Sequence, residues 1–224
     1  MRRFRFVLAN DLKGYIQDRA FIKALFFYLV MLTVVMLIGW PGGVELSFQP
    51  PKIFLLLTYV QMVILSHLGG RLAARSSPRG GAGLEDWLKY TPLTPAEVAL
   101  GKMGGIFLPV LLIFSSSLPL VILSYFMGGI FLRSALVSYS LLLLPVIAFI
   151  NFGLLLRFTG TDLSSLVLNV LSFFFGLGLF LTRTTQVGLF YLNPRFLLFI
   201  LAVSLVAFGL FLRRLEKLKQ KSIS

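Results

Sequence analysis

Apolar residues run through most of this chain in long unbroken blocks. They show neither the period-two alternation of a half-buried strand nor the narrow stripe of a helix on a soluble core. About 20 predominantly apolar residues, rising 1.5 Å each, cross the hydrocarbon of a bilayer. Six blocks meet that length, at 24–40, 53–70, 103–127, 134–156, 163–181 and 196–212. The pattern predicts an all-α, polytopic integral membrane protein with six transmembrane helices in a single transmembrane domain over 1–224. The third block is long enough to tilt and carries Pro109 and Pro119, where kinks are expected.

Two stretches outside the blocks are patterned as well. Phe4, Val7, Leu8, Leu12, Tyr15 and Ile16 recur at helical spacing, with Arg5, Asp11, Lys13, Gln17 and Asp18 off that stripe. This predicts an N-terminal amphipathic helix over 3–20, inside a segment 1–23, lying in the membrane interface before the first span. The second stretch falls between blocks two and three, over 71–102. Its first part, RSSPRGGAG at 75–83, reads as a flexible lead-in. In LEDWLKYTPLTPAEVALGK, at 84–102, Leu84, Trp87 and Leu88 share a helical face, with Glu85 and Asp86 in the first turn where the helix dipole favours acids. Thr91-Pro92 should end that short helix, since a residue before proline leaves the helical region. A second helix then begins with Thr94 as N-cap, Pro95 at the first helical position and Glu97 at the third, a capping box able to run through Gly101 and Lys102 into the third span. A bilayer alone demands no such detail. Contact with another protein accounts for it, and so does a solvated connector.

Composition agrees with the pattern: 58% of residues are hydrophobic, 13% charged, and the mean hydropathy is +0.92. A soluble domain has roughly twice that charge fraction. The net charge of +13 sits on residues that flank the apolar blocks, so the expected partner is anionic lipid and not nucleic acid. Of the basic residues, only Lys52, Arg133, Arg183 and Arg195 fall on one set of loops. The others lie at the termini and on the alternate loops, which predicts that both termini and the 71–102 segment are cytoplasmic. The basic end, 213–224, is expected to be a helical extension on the inner leaflet. At the N-terminus no small-residue cleavage site follows the charged start, so that segment is expected to be retained. The longest outer loop, TRTTQVGLFYLNPR at 182–195, fits either an interfacial helix or an ordinary loop.

Reactive chemistry is sparse. All eight acids lie outside the predicted spans, there is no cysteine, and His67 is the only histidine. Neither a metal set nor a Ser/His/Asp constellation can be assembled, so no catalytic, cofactor-binding or metal residues are predicted and His67 is expected to pack or hydrogen-bond. Proton-coupled transport would require intramembrane carboxylates. A phosphate loop is missing too, because Gly101-Lys102 is followed by Met103. Thr33, Gln61, Ser115–Ser117, Asn151, Asn169 and Ser172 are expected to hydrogen-bond between helices, and Gly101 with Gly105 makes a weak close-packing motif.

The order of parts, with NDLKGYIQDRAFI at 10–22, LEDWLKYTPLTPAEVALGK at 84–102 and YLNPR at 191–195, resembles the membrane subunits of ABC type-2 transporters. Glu85, Leu88, Thr91, Pro92, Thr94, Glu97, Gly101 and Lys102 match the family's segment between the second and third spans. The resemblance implies a permease in a prokaryotic cytoplasmic (inner) membrane, an exporter, that is not itself an enzyme. It would pair with a second permease subunit, as a homodimer or heterodimer, and be driven by a separate ABC ATPase docked against the coupling segment. The implied ATPase contacts are Glu85, Asp86, Trp87, Leu88, Thr91, Pro92, Thr94, Glu97 and Lys102, with Trp87 as anchor. Two other readings remain: a substrate-capture subunit of a vitamin-uptake type transporter, and a non-transporting anchor for a cytosolic partner.

Overall fold

A computed structural model describes residues 9, 12–38, 52–74, 93–128, 132–157, 161–183 and 194–223. Among these the chain is helical, with no strand. The helices are α1 (Arg19–Ile38), α2 (Lys52–Ala74), α3 (Pro95–Ser116), α4 (Leu118–Gly128), α5 (Leu132–Leu141), α6 (Leu143–Leu156), α7 (Thr161–Arg183) and α8 (Pro194–Ile223). Residues 12–17 form a further helical piece ahead of α1.

Among the described residues, five helical segments are long and apolar enough to cross a membrane: Arg19–Ile38, Ile53–Ala74, Pro95–Ser116, Ala135–Leu156 and Arg195–Gln220. Hydropathy alone predicts six. The remaining predicted span, 163–181, falls on α7, a helix of 23 residues in which Leu163–Gly178 is the apolar part whose side chains the structure describes. The helices also begin earlier than hydropathy indicates. Asp18 starts α1 at Arg19 instead of 24: its carboxylate accepts from the Ala20 amide at 3.0 Å and its carbonyl from the Phe21 amide at 2.9 Å. That is N-capping, which satisfies donors a helix start leaves unpaired.

The third block is two helices, not one kinked span. Pro109 is carried inside α3, but the helix stops at Ser117, ahead of Pro119. Proline has no amide to continue the ladder, and its ring crowds the preceding turn. Pro145 marks the fourth block in the same way, where Leu142 separates α5 from α6 while keeping helical dihedrals (φ −57°, ψ −30°).

At the centre, α2 packs along α6, with α1, α3, α4 and α7 around α2 and α8 against α6 and α3. Glycines set the α2–α6 distance. A Cβ on Gly153 would stand 2.3 Å from the Gly70 carbonyl oxygen and 2.8 Å from the Ala73 Cβ, so the two backbones are in direct contact. Small residues allow such approach where lipid offers no hydrophobic drive between helices. Most of the buried residues, Tyr28, Phe54, Leu65, Ile106, Ile113, Val146 and Phe211 among them, belong to one cluster around this pair. The outer helices turn large apolar side chains outward, as with Phe26 and Phe27 of α1 and Leu205 and Val206 of α8. Lipid, or another apolar protein surface, is the only solvent that suits them.

Candidate functional site

Two places in the bundle gather polar groups. The first is the end where α2 finishes and α3 starts. Thr94, extended at φ −77° and ψ 152°, caps α3: its hydroxyl accepts from the Glu97 amide at 3.2 Å, and the Glu97 carboxylate accepts from the Thr94 amide at 2.9 Å. The capping box expected from the sequence is present. From the far end of α8, the Lys219 ammonium donates to the Leu93 carbonyl at 2.8 Å. Tyr15, in the 12–17 piece, donates to the Leu72 carbonyl at 3.2 Å and is itself buried. The start of the chain, the end of α2, the entry to α3 and the tail of α8 are thus joined at one end of the bundle. Lys13, Arg19, Lys23, Arg71, Arg213, Arg214 and Lys217 stand exposed around it as a basic collar.

The proposed contact residues divide accordingly. Glu85, Asp86, Trp87, Leu88, Thr91 and Pro92 lie outside the described residues, as does most of the predicted interfacial helix. Thr94 is exposed and Glu97 half-buried, side by side in the cap. Lys102 is placed differently: it is 2% exposed, on the face of α3 that also buries Val98, Ala99, Gly105 and Ile106. Two turns into the helix, its position points to the bundle interior, away from any surface a docked partner would touch.

The second place is inside the bundle, at the α3–α4 break. The Gln61 amide donates to the Ser117 hydroxyl at 2.9 Å, and that hydroxyl lies 2.9 Å from the Tyr139 hydroxyl. The Phe114 carbonyl accepts from the Ser117 amide at 3.2 Å, from the Ser117 hydroxyl at 2.6 Å and from Tyr139 at 3.3 Å. The Phe114 ring stacks on Tyr139 with centroids 4.3 Å apart. Side chains from α5 and the break therefore occupy the carbonyl that the helix end leaves open, as a membrane interior requires, and Gln61 of α2 bonds to the break's hydroxyl. Tyr28 of α1 faces Ser117 and Gln61 in the same cluster. Its hydroxyl and the Gln61 Oε1 are buried, and neither makes a hydrogen bond within 3.5 Å among the described residues.

Other polar residues behave as interhelical ties. His67 meets the Ser172 hydroxyl at 2.9 Å, between α2 and α7, and the Asn151 amide donates to Ser204 at 2.8 Å, between α6 and α8. Thr33 instead turns back on its own helix, donating to the Leu29 carbonyl at 2.9 Å, and Asn169 is exposed. Sequence reasoning misses Tyr28 and Tyr139, because within an apolar block a tyrosine counts as apolar. For Tyr28 the signal is position, mid-way along α1 and away from the ends where membrane tyrosines gather. Among the described residues, no three of His, Asp and Glu come together to hold a metal.

Compared with known proteins, the chain matches no family model, no curated sequence and no solved structure.

Proposed function

We propose that the chain is the permease subunit of an ATP-driven ABC transporter of the type-2 class, an exporter in a prokaryotic inner membrane. It works as a dimer with an identical or related subunit and is moved by a separate ATPase. In this reading α7 completes a set of six spans, both termini are cytoplasmic, and the collar end faces the cytoplasm because positive residues are retained there. The segment 84–102 couples the chain to the ATPase, and the N-terminal amphipathic helix lies beside it.

One observation carries the reading: the entry to α3. A capped helix start, with its preceding carbonyl held by a lysine from the far end of the chain, gives the 84–92 segment a rigid mount on the bundle. A solvated connector needs no bracing of that kind. A ligand or partner shifts a two-state membrane protein only through contacts that differ between the states. A stiff mount transmits such contacts into α3. Lys102 is set aside as a contact, and Thr94, Glu97 and the 85–92 residues remain.

The test is co-purification of the tagged chain with an ATPase, followed by ATP-dependent efflux from inside-out vesicles. Trp87→Ala should loosen ATPase association while the chain still inserts and folds. Association and efflux unchanged by Trp87→Ala would remove that anchor, and a chain that draws down no ATPase would remove the reading.

A further inference from the structure

A cavity of about 370 Å³ opens between α6, α7 and α8, at the end of the bundle away from the basic collar. Pro145 and Ala148 of α6 leave room there, and phenylalanines from all three helices wall it, Phe152, Phe174 and Phe199 among them. Every lining side chain is apolar, so no group in it can hold a polar substrate by a hydrogen bond. Phe174 and Phe199 are 62% and 65% exposed, which makes its outer wall part of the surface that faces lipid.

Charge selects the occupant. Arg195 is exposed and lies one helical turn before Phe199, on the same face of α8. From Arg195 to Val203 the helix rises about 12 Å, most of the ~15 Å thickness of one hydrocarbon leaflet. The apolar trough therefore runs down from a guanidinium, complementary in shape and charge to an acyl chain below an acidic headgroup. Guanidinium is well suited to a phosphate oxygen pair.

We propose that this cavity is a binding site for an anionic phospholipid, with one acyl chain between α6, α7 and α8 and the headgroup phosphate on Arg195. Such a site does not depend on the chain being a permease, since it uses neither an ATPase nor a transport route.

The test reconstitutes the full chain in phosphatidylcholine vesicles doped with phosphatidylglycerol that carries a photoactivatable diazirine in its acyl chain. Cross-links should concentrate on 145–152 and 196–203, above the level on the equally exposed Phe26 and Phe27 of α1, which report lipid in general. Unlabelled phosphatidylglycerol should compete roughly fivefold better than phosphatidylcholine, the effect of one basic residue at an anionic headgroup. Arg195→Gln should abolish that preference while labelling by the chain persists. Ala148→Phe should fill the cavity and remove the labelling. Val203→Trp does so from the exposed rim, where no buried packing is disturbed. Labelling no higher than on α1, or a preference unchanged by Arg195→Gln, overturns the site. So does competition by oleic acid but not by phosphatidylglycerol, which assigns the cavity to a free fatty acid. Chain-to-chain cross-links at these residues assign it to a second copy of the protein and overturn it equally.

Discussion

Gly153 shows what a single hydrogen atom does in this bundle. Replacing it with a methyl group drives a carbon into the Gly70 carbonyl, and the only relief is for α2 and α6 to separate. We expect Gly153→Ala to cost about 1–3 kcal/mol, as overpacking of a tight interior does, read as a lower unfolding temperature in detergent. Gly209→Ala is the control: nothing lies within 4 Å of the place its methyl group would take. A helix-interior alanine there should be neutral or stabilising by up to about 1 kcal/mol. The buried ties are weaker. Ser172→Ala, which leaves His67 without its partner, should cost about 0.6 kcal/mol, the mean for interhelical hydrogen bonds in membranes. Little of this is legible in the sequence. Gly101 and Gly105 carry the recognisable motif, yet the close crossing belongs to Gly70 and Gly153, which share no motif because they sit on different helices. Gln61, Asn151 and Ser172 do announce themselves, since an amide or hydroxyl in an apolar block has few alternatives to a bond across helices.

Helix ends follow local chemistry more closely than they follow hydropathy. Asp18 and Thr94 start their helices several residues before the apolar blocks begin, and Pro119 stops one within a block. The Thr94 cap is readable because its two partners are three residues apart in a fixed pattern. The Asp18 cap is not, because the same acid fits the polar face of the preceding helix. Thr94→Ala should cost about 0.5–2 kcal/mol at the start of α3, seen as faster hydrogen exchange at the amides of residues 96–98. Lys219→Met should speed exchange at the same amides with the Thr94 cap intact. Exchange that stays slow there would mean that the tail of α8 does not brace that corner. α7 poses the larger question at this scale, whether Leu163–Gly178 crosses the bilayer. The chain has no cysteine, so introduced ones report cleanly. Thr159→Cys and Gln186→Cys should be labelled from opposite sides of the membrane. Labelling from the same side would make α7 a helix that does not cross.

For the molecule as a whole, the class is written plainly in the sequence, because an apolar block of span length has nowhere else to go. The number of spans is less plain. In the proposed topology the two termini share the cytoplasmic side, and Ser47→Cys and Ser76→Cys report from opposite faces, Ser76 from the cytoplasm. A maleimide that cannot cross membranes should therefore label Ser47→Cys in intact cells and Ser76→Cys only after permeabilisation. The contact between Gly70 and Gly153 also limits how this protein can move. Two helices that touch main chain to main chain, knob against notch, can neither slide nor roll without parting company. They serve as a fixed spine, and any opening and closing is left to the helices packed around it.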